Sequence, residues 1–220
     1  MDLKDKYILK YEWGENIEFK QVINKRRTIR EFSDEIIPDE IIMESLDCGL
    51  KAPSYNHLKQ WDFIMVRDPK IRLALTQTEE MIEEVSSDLR QAFQDYESLA
   101  KEMYLDAIPK QKRMILTSPE LLVVVYKPKT FVKDSHRIYD LNCLASVWCC
   151  IENILLSLAE HDVLGVTFIP KNTDKVKDIL KVPNELEVAA IIPLGYKNKD
   201  SKIIKQKEID LITRIHTNGW

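Results

Sequence analysis

The run Glu120-Leu-Leu-Val-Val-Val-Tyr126 constrains the fold more than any other stretch of this chain. It is apolar at consecutive positions, so a strand formed here presents apolar side chains on both of its faces. Such a strand needs cover on both sides, and helices usually provide it. A second run, Val188–Leu194, has the same character. The two runs predict a sheet that lies between helical layers.

Helical patterns separate the strand-like runs. The stretch Pro38–Leu50 opens with a proline and two acidic residues, which suit the first turn of a helix. The stretch Tyr139–Glu160 is apolar almost all round, which predicts either a core helix or a subunit-interface helix rather than a membrane span. Further strands are predicted at 63–66 and 164–169, and a further helix at 173–180. Because strands and helices alternate, we predict an α/β or an α+β fold with a central mixed sheet flanked by helices.

The chain also has a segment of different character at residues 72–114. It is long, charged and poor in glycine and proline, and its apolar residues recur at three- and four-residue steps. We read it as two or three amphipathic helices that form an insertion or lid. The 220 residues are otherwise expected to form one domain, 1–220, with a polar arm at residues 1–16.

Composition excludes several classes of protein. A net charge of −4 and a pI of about 5.7 argue against a nucleic-acid-binding domain, which is normally basic. Four cysteines without a CxxC pair, and an N-terminus without an apolar signal core, predict a cytoplasmic protein with reduced thiols. The four histidines lack HxxxH or HxH spacing, so no metal site is expected.

The cationic cluster Arg26-Arg27-Thr28-Ile29-Arg30 stands out against this acidic background. Guanidinium groups with a nearby hydroxyl suit a phosphate dianion, which accepts several charge-assisted hydrogen bonds. The five glycines form neither a GxGxxG motif nor a P-loop, so side chains would have to hold such a phosphate. The alternative reading is a solvated basic helix end, which is common.

A second stretch, Ala52-Pro53-Ser54-Tyr55-Asn56, leads through Trp61 into an apolar strand. It is either one wall of a ligand site or simply a turn that stops a helix, with Trp61 in the core.

The order of these motifs resembles the FMN-dependent nitroreductase family. The resemblance rests on RRTIR at 26–30, on APSYN at 52–56 with Trp61, on the apolar helix with Asn153, on Gly165 followed by Ile169-Pro170, and on Leu194-Gly195-Tyr196. It covers about residues 17–72 and 115–197. It implies an α+β class and a nitroreductase-like three-layer fold, with a central mixed sheet flanked by helices, that is dimeric.

The resemblance also implies the residues that bind the cofactor. Arg26, Arg27 and Thr28 would bind the FMN phosphate, and Arg30 would lie nearer the flavin ring. Residues of the partner subunit would cover the ring, and a C-terminal lysine would close on the phosphate. The full set implied is Arg26, Arg27, Thr28, Arg30, Pro53, Ser54, Tyr55, Asn56, His57, Ile169, Pro170, Lys205 and Lys207. No catalytic side chain is implied, because the flavin carries the chemistry.

The function implied is that of a homodimeric oxidoreductase with FMN at the subunit interface. NADH or NADPH would reduce the flavin, and an electron-poor acceptor such as a nitroaromatic or a quinone would reoxidise it in a ping-pong cycle. Two alternatives remain open. One is a flavin-binding sensor or storage module of the same fold with little turnover, and the other is a structural protein whose arginines bind an acidic partner.

Overall fold

The computed structural model describes residues 18–199 and 201–220, so the predicted arm at 1–16 lies outside the described residues. The helices there are α1 (Phe19–Lys25), α2 (Asp39–Leu50), α3 (Pro69–Leu75), α4 (Ser87–Ala92), α5 (Ser98–Ala107), α6 (Gln111–Thr117), α7 (Asn142–Glu160) and α8 (Thr173–Leu180). The strands are β1 (Trp61–Met65), β2 (Glu120–Tyr126), β3 (Val163–Gly165) and β4 (Glu187–Tyr196). Short 3-10 turns cover Tyr55–His57, Ile108–Lys110, Val132–Asp134, Ile138–Leu141 and Leu211–Arg214.

The four strands form one sheet in the order β1-β2-β4-β3, and each neighbouring pair is antiparallel. The prediction of a mixed sheet was therefore wrong. Among the described residues, parallel pairing is confined to an isolated bridge between Thr28 and Gly165. Alternation of strands and helices does not fix strand direction here, because the helical connections are long enough to return the chain to either end of the sheet.

Strand β2 occupies the centre of the sheet, and all seven of its residues are buried. Its side chains alternate between two cores, as the pleat of a strand requires. Leu121, Val123 and Val125 face a core that includes Ile29, Met114 and Val176. Leu122, Val124 and Tyr126 face a second core, which α2 and α7 cover. The prediction that this strand is covered on both faces is confirmed.

Most predicted elements occur close to their predicted bounds. Strand β2 and helix α8 match residue for residue, and Asn172 caps α8 by accepting a hydrogen bond from the Lys175 N–H at 3.1 Å. The strand predicted over 164–169 is shorter than expected. Regular pairing ends at Gly165, and only Phe168 returns to the sheet, in an isolated bridge with Ile191.

Helix α7 is the longest element and the most apolar. In the part of the chain that the structure describes, the stretch Ile138–Glu160 is the only one long and apolar enough to cross a membrane, with a mean hydropathy of 1.6. One side of it is buried in the core, through Val147, Cys150, Ile151, Ile154 and Leu158. The other side, which includes Leu144, Trp148 and Leu155, is only half-buried. Helix α7 thus combines a core face with an apolar face that the chain itself leaves partly open.

Candidate functional site

The Arg26–Arg30 segment follows the end of α1 as extended chain and is not part of the helix. Arg26 has φ −60° and ψ 116°, and Thr28 pairs with Gly165 at the edge of the sheet. The Ile29 N–H donates to the Gly165 carbonyl at 3.4 Å, and the Ile29 side chain is completely buried. The buried Ile29 and the sheet contact therefore anchor the basic cluster.

These basic residues line a cavity of about 440 Å³. Helix α5 supplies a second wall through Leu99, Ala100 and Met103, and residues 203–207 of the C-terminal segment supply a third. Six of the predicted cofactor-binding residues meet in this cavity: Arg26, Arg27, Thr28, Arg30, Lys205 and Lys207. The structure thus brings together two groups of basic residues that are more than 170 positions apart in the sequence.

Ion pairs hold the C-terminal wall of the cavity against α5. Lys202 pairs with Glu102 at 2.5 Å, and Lys207 pairs with Glu97 at 2.7 Å. All four of these side chains are more than 40% exposed. Each pair therefore contributes little stability, roughly 0–1 kcal/mol.

Carboxylates partly balance the positive charge of the cavity. Arg30 lies 3.6 Å from Asp106, which also accepts a hydrogen bond from Lys110 at 2.6 Å. Burial lowers the pKa of Arg30, and the nearby Asp106 carboxylate opposes that shift. Arg26 lies 3.3 Å from Glu152 on α7. Arg30 is thus held within a buried network, whereas the partner of Arg26 is about half-exposed.

A second, smaller cavity of about 160 Å³ is also lined by Arg26, Arg27 and Thr28. Its remaining walls come from α7 and from the chain at and after β3: Trp148, Ile151, Glu152, Leu155, Leu164, Gly165, Val166 and Thr167. The sequence interpretation missed Trp148, Glu152 and Thr167. Glu152 offered a signal, since it is the one charged residue between Leu141 and Ala159 in the apolar stretch.

The predicted residues Pro53, Ser54, Tyr55, Asn56 and His57 lie elsewhere. They line neither of these two cavities and instead form a turn beside the N-terminal end of α7, where the Tyr55 N–H donates to Ser146 Oγ at 2.9 Å. Asn56 and His57 have positive φ angles of 51° and 57°. The structure of the described chain does not join this turn to the Arg26–Arg30 segment in a single cavity.

Ile169 and Pro170 also stand apart from both cavities. The Ile169 side chain is 59% exposed, and Pro170 is buried. The next residue, Lys171, donates its N–H to Glu79 at 2.9 Å. In the chain after β3, Thr167, which was not predicted, lines the smaller cavity, whereas the predicted Ile169 and Pro170 do not.

Two tyrosines form an exposed cluster beside the 53–57 turn. The hydroxyls of Tyr55 and Tyr139 are 2.5 Å apart, and their rings meet edge to face at an angle of 86°. The Lys129 ammonium lies 3.8 Å from the centroid of the Tyr139 ring, and the Arg137 guanidinium carbon lies 5.7 Å from it. We call Tyr55, Tyr139, Lys129 and Arg137 the tyrosine cluster.

Residues 18–199 and 201–220 contain no group of three or more His, Cys, Asp or Glu side chains that could hold a metal ion. Within them the four cysteines are free thiols. Burial raises the pKa of Cys150 to about 12, which keeps this thiol protonated near neutral pH.

The sequence profile of the Nitroreductase family matches residues 23–196. The chain belongs to the nitroreductase family. The match spans the Arg26–Arg30 segment, the whole sheet and α7, so the resemblance noted from the motifs is confirmed. It also means that the larger cavity is built mainly by the family domain, together with the C-terminal segment beyond residue 196.

Curated relatives within this family include iodotyrosine deiodinases. The mouse (Mus musculus) iodotyrosine deiodinase 1 is 26% identical over 198 residues, which cover 89% of this chain and 68% of the relative. The iodotyrosine deiodinase of Thermotoga neapolitana is 28% identical over 193 residues, which cover 88% of this chain and 95% of that protein.

Solved structures show the same fold. An oxidized iodotyrosine deiodinase bound to FMN and 3-iodo-L-tyrosine superposes with a TM-score of 0.70 at 22% identity, covering 92% of this chain and all of that one. A nitroreductase family protein from Clostridium novyi NT gives a TM-score of 0.64 at 23% identity, covering 83% of this chain and 87% of that one. At these identities the likeness establishes the fold of this nitroreductase-family chain.

Proposed function

We propose that this nitroreductase-family protein is an FMN-dependent oxidoreductase. The observation that carries the proposal is the cavity of about 440 Å³ in which Arg26, Arg27, Thr28, Arg30, Lys205 and Lys207 converge. Its volume lies within the range of cofactor sites, and its donors are the kind that phosphate requires. FMN also matches the name of the structural relative, which was solved with that cofactor.

The residues present fit the cofactor in chemical terms. Arg26, Thr28 and the lysines of residues 205–207 would bind the phosphate in the larger cavity. Trp148 and Leu155 line the smaller cavity, which shares Arg26 and Thr28 with it, and would shield a flat ring from water there. When bound, FMN supplies the chemistry of hydride and electron transfer. The chain's own contribution is to bind and orient the cofactor, to exclude water and to select the acceptor.

A titration of the purified protein with FMN tests this proposal. We expect saturable binding of one FMN per chain. The variant Arg26→Ala should bind about 10- to 100-fold more weakly, since a hydrogen bond to a charged group contributes about 1.5–3 kcal/mol. The matched control is Arg67→Ala, which removes a guanidinium that pairs with Asp39 and Glu120 outside both cavities. Protein that takes up no FMN would contradict the proposal.

We further propose that the protein works as a homodimer. Support comes from the partly open apolar side of α7, which continues onto Phe19 and Ile23 of α1, exposed at 67% and 45%. A second copy would cover this surface, and the 53–57 turn beside α7 could then approach the partner's cofactor. Leu156 of α7 lines a surface groove together with Phe19. Light scattering should give the mass of a dimer, and Leu156→Glu, which places a charge in this groove, should give the monomer mass. A wild-type monomer at micromolar concentration would contradict this part of the proposal.

NADH or NADPH is the proposed electron donor, and electron-poor nitroaromatics or quinones are the proposed acceptors. Anaerobic mixing with each nicotinamide should bleach the flavin absorbance, and addition of a quinone should restore it. If a nicotinamide bleaches the flavin but no acceptor restores it at a useful rate, the sensor or storage alternative is favoured. If only dithionite bleaches it, the nicotinamide part of the proposal is wrong.

The curated relatives favour a second candidate, reductive dehalogenation. Their iodotyrosine deiodinase names, over 88–89% of this chain, make a halogenated tyrosine a specific acceptor to test. Iodide release from 3-iodo-L-tyrosine by the dithionite-reduced protein would support this candidate. Reduction of a nitroaromatic without iodide release would favour the first.

A further inference from the structure

The tyrosine cluster leaves one phenol O–H group available. The hydroxyls of Tyr55 and Tyr139 share one hydrogen bond, in which either oxygen can be the donor. When Tyr55 donates, the Tyr139 O–H is free to donate to a ligand, and Lys129 and Arg137 lie beside the same ring.

The cluster also carries positive charge that the nearby chain does not balance. Residues 127–140 contain four basic side chains and two carboxylates, in a chain whose net charge is −4. Asp140 balances the charge of Arg137 through an ion pair, with Arg137 Nη2 2.9 Å from Asp140 Oδ1. Within the described parts of the chain no carboxylate forms an ion pair with Lys129, whose ammonium instead lies over the Tyr139 ring. The adjacent N-terminal end of the 19-residue helix α7 adds a partial positive charge.

Both donors are accessible and near each other. The Tyr139 side chain is 49% exposed, and Lys129 is exposed as well. A carboxylate has two oxygens, so it can accept from the Tyr139 hydroxyl with one and from the Lys129 ammonium with the other. A neutral amide of the same shape can accept with only one oxygen, and it gains no charge attraction.

We propose that Tyr139 and Lys129, oriented by Tyr55, form a subsite that binds the carboxylate of an aromatic acceptor. The proposal rests on the proposed function, because Tyr55 belongs to the turn that would face the partner's cofactor in the dimer. It deepens that function by naming the substrate class: electron-poor aromatic acids are preferred over their neutral amides.

The test compares para-nitrobenzoate with para-nitrobenzamide, two acceptors that share a ring and a nitro group and differ in charge. Calorimetry on the oxidised, FMN-loaded protein measures binding, and single-turnover reoxidation of the dithionite-reduced protein measures reduction. We expect the acid to bind about 10-fold more tightly than the amide. Tyr139→Phe and Lys129→Met should each remove most of that preference and leave the affinity for the amide within about twofold.

Lys133→Met is the matched control, because it removes one positive charge from the same loop without touching the tyrosine pair. It should keep the preference for the acid. Equal binding of acid and amide by the wild type, or an equal loss of preference in Lys133→Met, would overturn the subsite while the flavin function stands. Failure of the proposed function itself looks different: no FMN is bound, or neither compound reoxidises the flavin.

Discussion

Asp106 on α5 lies 3.6 Å from Arg30 and fixes the helical segment 72–114 to the basic cluster that follows α1. Both side chains are largely buried, with exposed fractions of 12% and 14%. Lys110 extends the link, since it also donates to Glu31 at 2.9 Å. One charged network thus connects the segment predicted as a lid with the segment predicted to bind phosphate.

Loss of the Asp106 charge should destabilise the protein. Asp106→Asn leaves Arg30 buried beside a neutral amide, and removing one partner of a buried pair costs several kcal/mol; here we expect about 2 kcal/mol, because some solvent reaches the pair. Urea unfolding measures the loss. Glu83→Gln breaks the exposed pair with Lys112 on the same segment and should cost less than about 0.5 kcal/mol. Equal effects of the two substitutions would contradict the buried network.

Loss of the Glu152 charge should tighten FMN binding. Glu152 lines the smaller cavity and pairs with Arg26 at 3.3 Å, so its carboxylate opposes a bound phosphate and competes for the guanidinium. We expect Glu152→Gln to lower the FMN Kd about fivefold, which corresponds to about 1 kcal/mol. Glu160→Gln, eight residues further along α7 and outside both cavities, is the control. Weaker binding in Glu152→Gln would mean instead that Glu152 positions Arg26.

A side chain at position 165 should disturb both the fold and the cofactor site. A Cβ on Gly165 would lie 2.7 Å from the Pro193 carbonyl oxygen and 2.7 Å from a Leu194 methyl group. Because one of the two close atoms belongs to the backbone, it cannot move aside easily. Gly165→Ala should therefore lower the free energy of unfolding by about 1–3 kcal/mol and displace Thr28, which is paired with Gly165. Fluorescence-detected FMN titration and thermal unfolding should both report the change. Gly49→Ala is the control. A Cβ on Gly49 would lie close only to side-chain atoms of Ile154 and Cys150, so the FMN affinity should stay unchanged.

Stability should fall at high pH because of Tyr126. Burial raises the pKa of this phenol from 10.0 to about 12, so the unfolded chain releases the proton at a lower pH than the folded one. The contribution of the neutral Tyr126 phenol to the free energy of unfolding is fully present below pH 10. It is lost as the pH rises towards 12, and the free energy of unfolding then falls by up to about 1.4 kcal/mol per pH unit. Tyr126→Phe should flatten the fall in the free energy of unfolding between pH 10 and 12, the window between the unfolded and the folded pKa of this phenol. If the free energy of unfolding of Tyr126→Phe falls with pH as steeply as that of the wild type, groups other than Tyr126 cause the fall.

Short-range patterns predicted strand β2 and helix α8 well. The apolar run at 120–126 and the Asn172 cap depend on residues that are close in the sequence. Strand direction was mispredicted, because it depends on long connections that carry no local signal. The convergence of Lys205 and Lys207 with Arg26 came from the family resemblance, since no pattern links positions so far apart. Trp148 was missed because nothing in an apolar helix shows which of its residues will line a cavity, whereas the isolated charge of Glu152 was a signal that went unused.

The C-terminal wall of the larger cavity has a consequence for ligand entry. Because exposed ion pairs such as Lys202–Glu102 and Lys207–Glu97 fasten it, added salt weakens its attachment as well as any phosphate contact. A phosphate bound between Arg26 and Lys205 would add a charge contact between the C-terminal wall and the rest of the cavity. We therefore expect salt to weaken, and the proposed cofactor to strengthen, the attachment of this wall.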